Sequence, residues 1–368
     1  MIILIAGLGQ MGTIYINALK KLGVEENSII GYDIDAKKAS VAYEKFPRLQ
    51  RISSLVHDNG LDHYAQACED LISSAHAAIV AVNTPSHHKV IIDLMDFGIK
   101  HFLCEKPIGI SMEAVDEIGA AVKKTCAKVF TAFLMNFSPA ILYVIDKMKS
   151  EMLIMTEGSV VWGKNRKGDK RPTPGDLEDE SVHGAGILHR LAGINQQVKG
   201  LNVSASLTYP DFADPAAQAK AHELDSSFPK RVNATSMIIE KIFTDVCMIP
   251  CVLHSSFIYP RQIRKVSVVL AKRENPNNPA YSVEMDFDVR TGIGGVEDQI
   301  TFTALDGNKP EFLLFPCDKI LDQTRAFLQA IEVKIDPRLT DFDEARRAVA
   351  FSDAVMESHH LAGVVVNI

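Results

Sequence analysis

Gly7-Leu8-Gly9-Gln10-Met11-Gly12 stands directly behind the apolar run Ile2–Ala6 and opens the helical pattern Met11–Lys21. Alone, a Gly-x-Gly-x-x-Gly run is weak evidence. Between a buried strand and a helix it marks the turn that cradles a dinucleotide pyrophosphate. Gly7 permits the tight turn, Gly9 leaves the backbone open to the phosphates, and Gly12 lets the helix pack close to the sheet. The helix N-terminus then offers unpaired N–H groups and positive partial charge, with Leu8, Gln10 and Met11 completing the cradle. Asp33 ends the next apolar run, Ser28–Tyr32, 21 residues beyond Gly12. A carboxylate there accepts hydrogen bonds from the adenosine ribose and repels a 2′-phosphate. The expected cofactor is NAD or NADP, with NAD favoured; Lys37 and Lys38 lie close enough to blur the choice. The plainer reading of Asp33 is that it starts a turn.

Working outward, the alternation continues. Ala77–Val82 reads as a strand, about Lys89–Phe97 as a helix and His101–Cys104 as a strand. Ser111–Lys124 reads as a helix with Ser111 as its N-cap, and Val129–Phe133 as a strand. Strands alternating with helices imply a doubly wound parallel sheet, the Rossmann arrangement. After about Pro139 the pattern turns to β-branched, alternating runs: Ile154–Trp162, Val266–Lys272, Ser282–Val289 and Gln299–Ala304. These imply an open, largely antiparallel sheet, closed by helices at about Asp318–Val333 and Phe342–His360. Two polar stretches, Lys164–Glu180 and Tyr209–Lys230, read as loops. The expected fold class is α/β. Residues 1–138 form an NAD(P)-binding Rossmann domain, and residues 139–368 form an α+β domain for substrate binding and oligomerisation.

The 368 residues exceed what one hydrophobic core usually serves. Hydrophobic residues at 47%, charged residues at 23% and a net charge of −7 fit a globular protein. They give no basic footprint for nucleic acid or an anionic membrane. No apolar run is long enough to span a bilayer, and the N-terminal strand lacks the basic leader of a signal peptide. Cysteines at 68, 104, 126, 247, 251 and 317 form no CxxC pair and no zinc spacing, so no metal is expected. They read as mostly reduced core thiols, which implies a cytoplasmic setting.

Three further motifs carry a family resemblance: Val82-Asn83-Thr84-Pro85-Ser86-His87-His88, Cys104-Glu105-Lys106-Pro107, and the run from Asp179 through His183 to Ile187. Together with the glycine run they resemble the glucose–fructose oxidoreductase / inositol dehydrogenase family (Gfo/Idh/MocA), in order, through about Gly193. The Glu-Lys-Pro triplet after a strand is the most specific element. The resemblance implies a Rossmann domain followed by an open α/β domain. It implies that Lys106, next to Glu105, reaches the reacting centre, and that the Lys106–Pro107 peptide is cis. It implies that Thr84 and Pro85 lie beside the cofactor, with His87 or His88 near the nicotinamide half. The family's Asp-x-x-x-His element falls on Asp179 and His183.

These residue types suit oxidation of an alcohol. The hydride goes to the nicotinamide, and the proton needs a base with a pKa near neutrality, for which His183 is the candidate and His189 its rival. Lys106 as an ammonium stabilises charge on the substrate oxygen; Asp179 orients the histidine or binds a hydroxyl. Trp162, the chain's only tryptophan, reads as core or interface rather than a substrate platform. Where many members have Asp three residues after the histidine, this chain has Gly186. Where many have Arg before the domain boundary, it has Asn136. Those departures bear on the substrate. The leading expectation is a dehydrogenase or reductase of a sugar, inositol, amino sugar or sugar nucleotide. The alternatives are a reductase of a non-sugar carbonyl or imine, and a dinucleotide sensor without catalysis. A homodimer or homotetramer is expected, with Val266–Ala271 suited to the contact face.

Overall fold

The computed structural model describes residues 1–52, 66–167, 172–210, 213–224, 229, 231–290, 296–332 and 334–368. The chain forms two compact units, Met1–Leu134 with Lys319–Val349, and Met135–Asp318 with Ala350–Ile368.

In the first unit the chain runs β1 (Ile3–Ala6), α1 (Gln10–Lys21), β2 (Ile29–Tyr32), α2 (Ala36–Lys45), β3 (Gln50–Arg51), α3 (Gln66–Ser73), β4 (Ala77–Val80), α4 (His87–Asp96), β5 (His101–Cys104), α5 (Met112–Thr125) and β6 (Lys128–Thr131). All six strands are parallel, in the order β3-β2-β1-β4-β5-β6. The order reverses between β1 and β4, which makes that point the crevice where open α/β sheets bind ligands. Every residue of β1 and β4 is buried, as expected of strands covered by helices on both faces. Ser111 caps α5, its hydroxyl accepting from Ala114 N–H at 3.3 Å, as the sequence implies.

The second unit contains α6 (Pro139–Ser150), β7 (Leu153–Asn165), α7 (Val182–Ala192), β8 (Val198–Thr208), α8 (Pro215–Leu224), β9 (Thr235–Thr244), β10 (Met248–Ser256), β11 (Ile258–Lys272), β12 (Pro279–Arg290), β13 (Val296–Ala304) and β14 (Glu311–Pro316). Then α9 (Lys319–Glu332) returns to the first unit, α10 (Phe342–His360) runs from the first unit into the second, and β15 (Val366–Asn367) ends the chain. The large sheet has nine strands in the order β14-β13-β12-β11-β7-β10-β9-β8-β15. Only the β10–β7 pairing is parallel.

Several expectations change. The closing segment 319–349 does not belong with the sheet-rich unit: Phe327 of α9 meets Phe130 of β6 edge to face at 6.4 Å, and Ala345 and Val349 join the first unit's core. The region after Pro139 begins with a helix, α6, capped by the Ser138 hydroxyl accepting from Ile141 N–H at 3.3 Å, with proline in its first turn. The stretch 209–230 contains α8, and 164–180 ends in a helical turn, while 168–171, 211–212, 225–228 and 230 lie outside the described residues. Val266, Val268, Leu270 and Ala271 are buried in the second unit, so the run proposed as a contact face is core. Strand pleating sends alternate residues to opposite faces, and here the apolar set is the inward one. The described cysteines are free, but only Cys104 and Cys251 are buried.

Candidate active site

The first unit's motifs all fall behind the carboxyl ends of four neighbouring strands. Gly7–Gly12 follows β1, Asp33 follows β2, Thr84–Pro85 follows β4 and Glu105–Lys106 follows β5. Gly7 has φ +95°, and a Cβ there would lie 2.5 Å from the Ala81 carbonyl oxygen, so only glycine serves. At Gly12 a Cβ would lie 1.9 Å from the Gly7 carbonyl oxygen. At Gly9 it would meet nothing within 4 Å. The turn is therefore closed on its inner side and open over Gly9, ahead of the N-terminus of α1. A dinucleotide pyrophosphate fits that opening, with Gln10 and Met11 in the first helical turn.

Asp33 supports the same turn. Leu8 N–H donates to Oδ2 at 2.8 Å and Asp35 N–H to Oδ1 at 2.8 Å. The plainer reading of Asp33 is thus realised, and each oxygen keeps a second lone pair for another donor. Lys37 and Lys38 N–H groups both go to Asp35 Oδ1, the N-cap of α2.

The two histidines after Thr84–Pro85 are both engaged by protein groups. His87 is fully buried at 0% exposure. Its Nδ1 lies 2.7 Å from the Pro107 carbonyl and its Nε2 3.2 Å from the Val82 carbonyl. Burial drives its pKa down to about 4, outweighing the two carbonyls. A buried ring held by backbone at both nitrogens is a strut between two loops. His88 lies 3.8 Å from Glu117 of α5. Glu105, expected at the cofactor, receives the hydroxyl of buried Tyr15 at 2.7 Å. Lys106 is half-buried, and the Lys106–Pro107 peptide is cis.

The second unit holds the other motif. Leu177–Ser181 winds as a π-helical turn that runs into α7. Such wide turns occur mostly as single insertions, frequently at functional sites. Asp179 lies within the turn and His183 in the first turn of α7. The helix seats on β7 because Gly184 has no side chain: a Cβ there would fall 2.4 Å from Val160 Cγ1. That close seat brings the His183 ring onto Trp162, with centroids 5.7 Å apart and planes 26° apart. Trp162 is 1% exposed, so it is core, yet core that forms the floor under His183.

Asp179 Oδ2 accepts from Arg166 at 3.1 Å and lies 3.6 Å from Lys164 Nζ, while Lys164 also pairs with buried Glu180. Arg166 stacks over Phe257 at 4.8 Å. Asp176, one residue before the turn, accepts the Ser255 and Ser236 hydroxyls on one oxygen, at 2.6 and 2.9 Å, and burial pushes its carboxyl well above the usual range. The expected partner of His183 is therefore itself the centre of an ion network. Lys164, Arg166 and Asp176 belong to no sequence motif; the available signal is that Val160, Trp162 and Lys164 fall at every second position of β7 and so share a face, with Arg166 just past its end. His189 is drawn to buried Glu240 of β9, with Nε2–Oε1 at 2.5 Å, and Phe351 packs edge-on to it. That bond makes it a helix-to-sheet fastening. Asn136 is 6% exposed in a short turn before α6.

Residues 1–133 match the family model described as oxidoreductase family, NAD-binding Rossmann fold. The N-terminal domain is that of the Gfo/Idh/MocA oxidoreductases. The chain is similar to myo-inositol dehydrogenase Hyg17 of Streptomyces leeuwenhoekii, 22% identical over 222 residues, or 58% of this chain. That match spans 62% of the relative's length. Among solved structures it resembles aldose-aldose oxidoreductase from Caulobacter crescentus, with 14% identity, a TM-score of 0.70 and coverage of 100% of this chain and 99% of the other. It also resembles the UDP-N-acetylglucosamine 3-dehydrogenase GnnA from Acidithiobacillus ferrooxidans, with 14% identity, a TM-score of 0.66 and 97% of each chain covered. At such identities the structural likeness speaks for the fold, from the six-stranded parallel sheet through the nine-stranded one. Among the described residues, no helix is long and apolar enough to cross a membrane.

Proposed function

We propose that this oxidoreductase moves a hydride between NAD(P) and a hydroxyl- or carbonyl-bearing carbon of a sugar, inositol, amino sugar or sugar nucleotide. One observation carries the reading: the open glycine turn, Asp33, Thr84–Pro85 and Lys106 gather behind four adjacent parallel strands at the point where strand order reverses. The substrate class is supported by the relatives, whose names specify an inositol, an aldose and a sugar nucleotide.

When bound, the dinucleotide supplies the hydride acceptor or donor. The chain supplies the rest. Lys106 donates a hydrogen bond to the substrate oxygen and stabilises the negative charge that develops there. His183, its ring set by Trp162, takes the alcohol proton in oxidation and returns it in reduction. Asp179, fixed by Arg166 and Lys164, presents a carboxylate to a substrate hydroxyl. Asp33 favours NAD, because a 2′-phosphate would meet a carboxylate already committed to the turn.

We also infer a homo-oligomer, a dimer or a tetramer. The nine-stranded sheet exposes Val161, Met237, Ile239 and Val252, at 36%, 43%, 52% and 46%, on adjoining strands. A run of apolar side chains on a regular sheet face suits a second copy of the same face. Sedimentation of the wild type and of Ile239→Lys tests this; a wild-type monomer at micromolar concentration refutes it.

Absorbance at 340 nm tests the reaction. Wild type, Lys106→Ala and His183→Ala are assayed with NAD⁺ and NADP⁺ against myo-inositol, aldoses and UDP-N-acetylglucosamine. Turnover by the wild type that both variants lose supports the proposal. A wild type that binds NADH yet turns over nothing in the panel favours the sensor.

A further inference from the structure

Lys106 is the middle residue of a loop gripped on both sides by buried groups. Before it, Glu105 N–H donates to the Val80 carbonyl at 2.9 Å, and the Glu105 carboxylate accepts the Tyr15 hydroxyl at 2.7 Å. After it, the Pro107 carbonyl lies 2.7 Å from His87 Nδ1. Tyr15 comes from α1 and His87 from the first turn of α4, and both are at 0% exposure.

A phenol and an imidazole are poor choices for the core unless their polar atoms are used. Here each is used on a residue adjoining Lys106. Burial keeps the imidazole neutral, so only one ring nitrogen carries hydrogen. The shorter contact assigns that hydrogen to Nδ1, donating to Pro107, while Nε2 faces Val82 at 3.2 Å. A lysine side chain is long and freely rotating, so its ammonium is placed only as well as its backbone is. Fixing residues 105 and 107 removes the backbone share of that freedom.

We propose that Tyr15 and His87 are positioning residues for Lys106, a paired clamp that holds the loop on either side so that the ammonium swings from one fixed point. The clamp rests on the reading of Lys106 as functional. It gives that lysine a support drawn from one motif residue, His87, and from Tyr15, which belongs to none of the motifs.

The test needs no substrate. Reductive ¹³C-methylation gives each lysine of the apo-protein a resonance, and the Lys106 signal is the one lost in Lys106→Arg. Tyr15→Phe removes one hydroxyl. His87→Leu removes the ring nitrogens, and His87→Asn restores a donor near Nδ1. The Lys106 signal is expected to shift and sharpen in Tyr15→Phe and His87→Leu, and to return toward its wild-type position in His87→Asn. Signals from Lys20 and Lys100 stay fixed. Should circular dichroism show His87→Leu unfolded, Tyr15→Phe carries the test. An unmoved Lys106 signal in folded Tyr15→Phe overturns the proposal. On a substrate the panel identifies, Tyr15→Phe lowers kcat by about 10- to 100-fold but changes nothing in a Lys106→Ala background. Failure of the functional reading looks different: Lys106→Ala retains full turnover while the resonance still responds to Tyr15→Phe.

Discussion

Replacing Gly9 with alanine separates what the glycine turn does for binding from what it does for folding. Gly9 has φ −67° and ψ −160°, extended backbone that any L-residue adopts, and its added Cβ meets no atom within 4 Å. Two small effects on stability oppose one another. Alanine is a poorer N-cap than glycine by up to about 1 kcal/mol, while a less flexible unfolded chain returns ~0.4–1 kcal/mol. The net change stays within ~1 kcal/mol, a shift in melting temperature of no more than about 4 °C. Binding is different, because the methyl occupies the opening through which a pyrophosphate reaches the helix N-terminus. Losing one charge-assisted hydrogen bond costs ~1.5–3 kcal/mol, which weakens affinity roughly 10- to 150-fold. NADH titration by calorimetry, beside differential scanning fluorimetry, measures both. Gly12→Ala is the control: its Cβ would sit 1.9 Å from a backbone oxygen that no side-chain rotation can move. It is expected to cost ~3 kcal/mol in stability, the upper end for overpacking. Wild-type NADH affinity in a fully stable Gly9→Ala protein refutes the placement of the pyrophosphate over this turn.

Asp33→Asn removes a charge but keeps an oxygen for one of the two amides now bonded. The ratio of NADPH to NADH dissociation constants is expected to move toward NADPH by roughly 10- to 100-fold; an unchanged ratio sinks the cofactor assignment. His87 makes stability depend on pH. Its folded pKa, about 4, lies below that of an unfolded histidine near 6.5, so the unfolded state binds the extra proton between them. Its contribution is whole above pH 6.5 and fades as pH falls toward 4, a difference of about 3 kcal/mol. Urea titrations at pH 7 and pH 4 should show a smaller acid loss for His87→Asn, and an equal loss contradicts the neutral, buried ring. Cys126 is exposed, whereas burial raises the thiols of Cys104 and Cys251. A thiol-reactive chromophore is expected to label Cys126 at once and the other two only after unfolding; rapid native labelling of Cys104 argues against its place in the core.

The elements most legible in sequence are those with strong local causes. Gly7–Gly12 between a strand and a helix, the Ser111 cap and the short apolar strands each depend on a few consecutive residues. α6 had a local signal too, Ser138-Pro139, but it was masked by the β-rich pattern that follows. α8 lies in a stretch read as a loop, and its Pro215–Leu224 sequence has little apolar contrast between faces. Lys106 was legible as a motif; the grip on its neighbours was not, because Tyr15 and His87 reach Glu105 and Pro107 only after α1 and α4 have packed on the sheet.

By itself the sequence determined that a dinucleotide turn opens a parallel α/β domain, that a sheet-rich region follows, and that Lys106, Asp179 and His183 are the candidate catalytic residues. Backbone conformation and apolar periodicity are properties of neighbours along the chain, so they can be read there. Tertiary structure alone decided that His87 is a buried strut, that Val266–Ala271 is core, that α9 returns to the first unit, and that Trp162, Lys164 and Arg166 surround His183 and Asp179. Those outcomes depend on which face of an element is covered and by what, and that is set by contacts between residues tens to hundreds of positions apart.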